Sequence, residues 1–179
     1  EKPTVVEIFD KQKDFGVRTF GMPENPGFLG VCFGCVITAN SPATQMPFPA
    51  NWEAVLWHEF CHTVTLALTK NKMPRWLSEG ISVYEERQAS PTWGQRMNPE
   101  FREMILEGGL TPVGKLSGAF LSPPTPEHSQ FAYYQSSLVV EHIVERFGHE
   151  AIRAILEKLA QGVKINVAIA QAVEPIEEL

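Results

Sequence analysis

His58-Glu59-Phe60-Cys61-His62 places two imidazoles and a carboxylate within one short stretch. In a helix advancing about 100° and about 1.5 Å per residue, His58 and His62 fall about 40° apart on one face and about 6 Å apart along the axis. Both rings can therefore reach one ion. Glu59 lies one position round, off the face that the histidines share but close enough to act on a water held by that ion. This is the H-E-x-x-H arrangement, for which zinc is the expected metal and the glutamate the expected general base.

A second stretch supplies a third ligand. Arg75-Trp76-Leu77-Ser78-Glu79-Gly80 lies in another apolar run of helical character, beyond a turn marked by Pro74. A helix, a turn and an antiparallel helix would bring Glu79 back towards the histidines. His58, His62 and Glu79 leave the fourth position of a zinc ion open, which is the catalytic rather than the structural pattern of ligation. Two neutral imidazoles and one carboxylate around a single Zn2+ per chain leave a net charge of about +1 on the site.

Taken together, His58-Glu-Phe-Cys-His62 and Trp76-Leu-Ser-Glu79-Gly80 resemble the gluzincin zinc metallopeptidases, close to the peptidase-MA-like domains often attached to helical repeats. A third block, Tyr133-Tyr134-Gln135-Ser136, matches less sharply, and the general layout extends from Val5 to Val173. The resemblance implies a thermolysin/aminopeptidase-like catalytic fold that hydrolyses peptide bonds through a zinc-bound water activated by Glu59. It also implies that Tyr133 donates a hydrogen bond to the developing oxyanion, with Tyr134 taking that role if the register shifts by one. His128 is a weaker donor candidate and reads better as a loop residue, while His142 and His149 read as surface or helix-end residues.

The resemblance further suggests an edge strand along the cleft, at Gly34, Cys35 and Val36, to which an extended substrate could add. An inner strand of the sheet is equally compatible with the sequence. No Gly-x-Met-Glu-Asn run precedes the metal helix to hold a free substrate amine, which favours an endopeptidase slightly over an aminopeptidase. The alternative from a different class is a catalytically silent, zinc-retaining module for protein interaction. An intact Glu59 beside the metal argues against it, because a structural site has no use for a base.

Composition narrows the partners. Fifteen basic against 21 acidic residues give a net charge of −6, with no basic patch that would suit nucleic acid. A hydrophobic content of 44% with 20% charged residues is ordinary for a globular protein, and no apolar run of about 20 residues is available to span a bilayer. The expected partner is a peptide or protein substrate, with helical repeats in a longer chain as a further expectation. Three cysteines cannot pair completely, and Cys32 and Cys35 would point to opposite faces of a regular strand, so both read as small buried residues. Cys61 is rotated away from the histidine face. The chain opens at Glu1 without a leader, so the compartment is open: secreted or periplasmic if a signal peptide was removed, cytoplasmic otherwise. The run from Val173 to Leu179 ends without a clear terminal element, which favours a domain cut from something longer.

The elements that must position these residues form an α+β chain, read as one catalytic domain over 1–179. Residues 1–50 are mainly strands and loops, 51–87 a metal-binding helix pair and 98–173 a helical part. Thr4–Phe9 reads as a strand, Asp14–Phe20 as a short helical turn, and Gly30–Thr38 as a strand pair or one strand bent at Gly34. Gly21–Gly30 and Ser41–Pro49 read as loops. Asn51 and Glu53 suit the start of a helix reaching Lys70, and Pro74 that of a second reaching Arg87. Gly80, a poor helix former, suggests a close approach to the metal helix. Asn98-Pro99-Glu100 opens a short helix closed by Gly108-Gly109, Leu110–Glu127 wraps the surface, and helices follow over 129–147, 150–160 and 164–172.

Overall fold

The computed structural model describes residues 3–23, 27–47 and 49–173 of the 179-residue chain. Parts of the two expected loops (24–26 and 48) and the chain end from 174 lie outside the described residues. The fold is α+β, with a small N-terminal sheet and a helical C-terminal part. By packing, the chain divides into two compact units, Glu1–Val64 and Thr65–Leu179, and the division falls inside a continuous helix, α2 (Trp52–Leu68). Among the described residues no helix is long and apolar enough to cross a membrane.

The first unit contains β1 (Val5–Phe9), α1 (Gln12–Phe20), β2 (Gly30–Phe33) and β3 (Val36–Asn40). The sheet order is β1-β3-β2, with β1 parallel and β2 antiparallel to β3. As the central strand, β3 is the most buried: Ile37, Thr38 and Ala39 have at most 4% of their surface exposed. The helical turn expected near Asp14 is a full nine-residue helix whose Phe15 is completely buried. Phe15 contacts Phe9 and Phe20 with ring centroids 6.2 and 6.1 Å apart, so the aromatic spacing of this segment pins α1 to the sheet. A short 3₁₀ turn (Pro42–Gln45), started by the Ser41 side chain accepting from the Ala43 amide, follows β3.

The second unit contains α3 (Arg75–Ala89), α4 (Pro99–Leu106), α5 (Leu116–Ala119), α6 (Pro126–Phe147), α7 (His149–Ala160) and α8 (Ile165–Ala172). The start of α4 follows its sequence signal, whereas α6 begins at Pro126, three residues before the expected 129. Asn98 caps α4 by accepting from the Phe101 amide at 2.8 Å, and Thr125 caps α6 by accepting from the His128 amide. Phe101, Phe131 and Tyr134 form a buried cluster on which Met104, Ile105 and Leu138 pack. The segment 110–127, expected to wrap the surface, instead buries Val113, Leu116 and Phe120, because its apolar residues recur often enough to anchor a proline-interrupted chain.

The principal packing in this unit is α3 against α6, and Gly80 is its closest point. A methyl group at Gly80 would stand 2.6 Å from the carbonyl oxygen and 2.9 Å from the carbonyl carbon of Ser136. The close approach expected of Gly80 is therefore made to α6, not to the metal helix. Ser78, Ser82, Ser136 and Ser137 are buried around it, small enough to let two backbones meet. Overpacking against a carbonyl that cannot swing away costs about 1–3 kcal/mol. Set against the roughly 1 kcal/mol that alanine gains in helix preference, Gly80→Ala is predicted to lower stability by up to about 2 kcal/mol. A urea midpoint equal to or above the parent's would show that α6 can move aside at little cost.

Candidate metal centre

Helix α2 begins where Asn51 Oδ1 accepts from the amides of Glu53 and Ala54, at 3.0 and 3.3 Å, with Glu53 in the first turn complementing the dipole. Its fourfold spacing sets the rings of His58 and His62 4.7 Å apart between centroids, at 83° to each other. His62 is 9% exposed and Glu59 8%, so both polar side chains are withdrawn from bulk water. One ligand atom each from His58, His62 and Glu79 lies within 4.8 Å of the other two. Two imidazoles and a carboxylate so gathered fit a small divalent ion with bonds of about 2 Å, and among the described residues Glu59 is not part of the group.

Around Glu79 the second unit builds a network that the sequence does not announce. Arg75, at the start of α3, donates from Nε to Glu79 Oε1 at 3.2 Å and from a terminal nitrogen to the Tyr133 hydroxyl oxygen at 3.3 Å. Its guanidinium lies 5.1 Å from the centre of the Phe120 ring, and that ring meets Tyr133 edge-on, also at 5.1 Å. Burial opposes the charge on Arg75, but Tyr133 and Glu79 beside it hold its pKa above the ordinary arginine value. Arg75 and Phe120 were missed by sequence reasoning. A signal for Arg75 existed in its i,i+4 spacing to Glu79, whereas none marked Phe120.

The adjacent tyrosine points elsewhere. Tyr134 is 5% exposed and stacks on Phe101 with centroids 5.3 Å apart, and burial pushes its hydroxyl pKa up. Gln135 turns to a third direction, where its amide both accepts from the Thr111 N–H at 3.1 Å and donates to the Thr111 carbonyl at 2.6 Å. This double bond to a backbone unit ties the start of the proline-rich segment to α6, nine residues ahead of Phe120. His128 is exposed and bonded to the Thr125 hydroxyl at 3.0 Å, and His142 and His149 are exposed on α6 and α7.

Glu59 is flanked within the first unit by β2. A methyl group at Gly30 would stand 2.9 Å from Glu59 Cγ and from Val55 Cγ1, and 3.2 Å from Glu59 Oε1, so the backbone of β2 lies directly on this carboxylate's stem. Among the described residues β2 pairs on one side alone, with β3. Gly30–Phe33 is thus one of the two edge strands of the sheet, β1 being the other. Gly34 and Cys35 form the turn between β2 and β3, and Val36 opens the central strand, which is paired on both sides and has no edge to offer. The expected edge is displaced towards the N-terminus because the chain reverses at Gly34-Cys35 instead of running through it.

Cys32, in β2, is half-buried and bonds weakly to the Gly34 carbonyl at 3.5 Å. Burial, and then the charge of Glu59, push its thiol up to about 11, which disfavours the thiolate needed for metal binding or redox exchange. In the folded protein, iodoacetamide at pH 8 should alkylate exposed Cys35 and leave Cys32 nearly untouched. The Cys32 rate should climb about tenfold per pH unit towards pH 11 as the thiolate fraction grows. Mass spectrometry that found Cys32 modified as fast as Cys35 at pH 8 would contradict this.

No curated protein and no solved structure matches the chain. A family model does, described as the Peptidase MA superfamily and matching residues 43–174, a span that holds the histidine pair, Glu79 and the Arg75–Tyr133 network. That match covers well over half of the chain, which therefore belongs to the Peptidase MA superfamily.

Proposed function

We propose that the chain is a zinc-dependent peptidase, with His58, His62 and Glu79 as the metal ligands, Glu59 as the general base and Tyr133 as the oxyanion donor. The observation that carries this reading is the convergence of three ligand atoms of the His, His and Glu type, with the Glu59 carboxylate next in sequence to one of them. Family membership supports the same chemistry. Zinc bound there would polarise the scissile carbonyl and lower the pKa of the attacking water.

The chain's own residues supply the rest. Glu59, largely removed from water and held under β2, takes the proton of the attacking water and later passes it to the leaving amine. Tyr133 donates its hydroxyl proton towards the carbonyl oxygen as negative charge develops there. Arg75 does not compete for that proton: a guanidinium has no acceptor, so its bond to Tyr133 uses the phenol oxygen. The free edge of β2 offers backbone groups to an extended peptide in reach of the strand that covers Glu59, which supports cleavage within a chain. We favour an endopeptidase over an aminopeptidase for that reason and because no amine-binding run precedes α2.

Four substitutions test these assignments, each assayed for bound zinc and for digestion of a broad peptide library. His62→Ala should lose the roughly one zinc per chain found in the parent. Glu59→Gln should retain zinc and fold but lose hydrolysis; retained turnover would reject Glu59 as the base, and lost zinc would mean that the ligand set is wrong. Tyr133→Phe should lower kcat by about 10²–10³, or roughly 3–4 kcal/mol, with KM and zinc content little changed. Tyr134→Phe should leave kcat near the parent value. The opposite ranking of the two tyrosines would remove Tyr133 from the oxyanion site.

A further inference from the structure

Arg75 bonds to two groups of the proposed site that no short-range signal links: Glu79 one turn along α3 and Tyr133, 58 residues away on α6. Stability of α3 does not account for it. As the first residue of the helix, Arg75 sits where the partial positive charge of the N-terminus disfavours a cation. A basic residue placed before an acidic one at i,i+4 is also the weaker of the two orders. Its side chain is 44% exposed, so the ion pair is screened by solvent as well. Its contacts with the site are nevertheless specific. Two donors of one rigid fork are engaged, and the Phe120 ring lies against the guanidinium and against Tyr133.

We infer that Arg75 is a positioning residue for the metal centre, fixing the Glu79 carboxylate and the Tyr133 hydroxyl with a single guanidinium. The bond from Arg75 to Oε1 restrains the Glu79 carboxylate from rotating about its terminal torsion while it presents a ligand atom beside those of His58 and His62. The donation from Arg75 to the phenol oxygen polarises the hydroxyl towards an acceptor on its other side. A lysine would not serve, because an ammonium on a flexible stem cannot hold two acceptors in fixed directions.

The inference rests on the zinc-peptidase reading, and its test separates the two. Zinc affinity is measured by chelator competition in the wild type, Arg75→Lys, Arg75→Met and Tyr133→Phe, together with the visible spectrum of each Co(II)-substituted protein. Far-UV circular dichroism checks the fold. Arg75→Met should weaken zinc binding roughly 10- to 100-fold and alter the Co(II) spectrum with the fold intact. Arg75→Lys should behave like Arg75→Met, and Tyr133→Phe should hold zinc as the parent does. In peptide turnover, Arg75→Met should cost less in the Tyr133→Phe background than in the wild type, because part of its effect passes through that hydroxyl. Wild-type zinc affinity and Co(II) spectrum in Arg75→Met would overturn the inference while leaving the peptidase reading intact. A parent that binds zinc with the expected Arg75 dependence but cuts no peptide would support the inference and reject the peptidase reading. A parent that takes up no zinc would overturn both.

Discussion

The contact of Gly80 with the Ser136 carbonyl sets the register on which the helical unit depends. Glu79 immediately precedes Gly80, and Tyr133 stands one helical turn before Ser136. Where the two backbones touch, a residue on α3 and a residue on α6 are therefore brought level, and Arg75 can bond to both Glu79 and Tyr133. Two helices held apart by larger side chains would keep their axes and lose this registration. The small buried serines on both helices serve the same approach. The half-buried Arg87–Glu141 pair, at 2.8 Å, ties the two helices again further along.

A different close contact works around Glu59. Gly30 lets the backbone of β2 rest on the carboxylate's stem, and Cys32, two residues on, faces the same side of a strand that alternates. The strand thus both covers Glu59 and ends in a free edge. Its position follows from the order β1-β3-β2, which leaves β2 outermost on one side of β3 and β1 outermost on the other.

The histidine pair was legible from spacing, because a helix converts separation in sequence directly into direction: four residues put His62 beside His58, and the ligand atoms of both lie near that of Glu79 in a group that could hold a metal ion. Helix starts were legible as well, since Asn51, Asn98 and the prolines act on their own neighbours. What could not be read were contacts made across long separations. Gly80 announced a close approach but not its partner. Phe120 lay in a stretch whose four prolines suggested a surface path, and nothing local tells a proline-rich loop that returns to the core from one that does not. The choice of Gly34–Val36 as an edge failed for a related reason: a glycine within an apolar run fits a bend as well as a reversal, and pairing decides which.

The Gln135 amide occupies both hydrogen-bonding groups of Thr111, as a neighbouring strand would, and so gives an otherwise irregular segment one fixed point. Phe120, against Arg75 and Tyr133, gives it a second. Between these anchors the path length is determined, and a residue gained or lost there would pull the ring from beneath the guanidinium. Beyond Phe120 the side chains are less anchored: Leu121 is 79% exposed, and Thr125 then caps α6. Variation in length among descendants of this sequence should therefore be confined to the few positions between Phe120 and Thr125, while the stretch from Thr111 to Phe120 keeps its count.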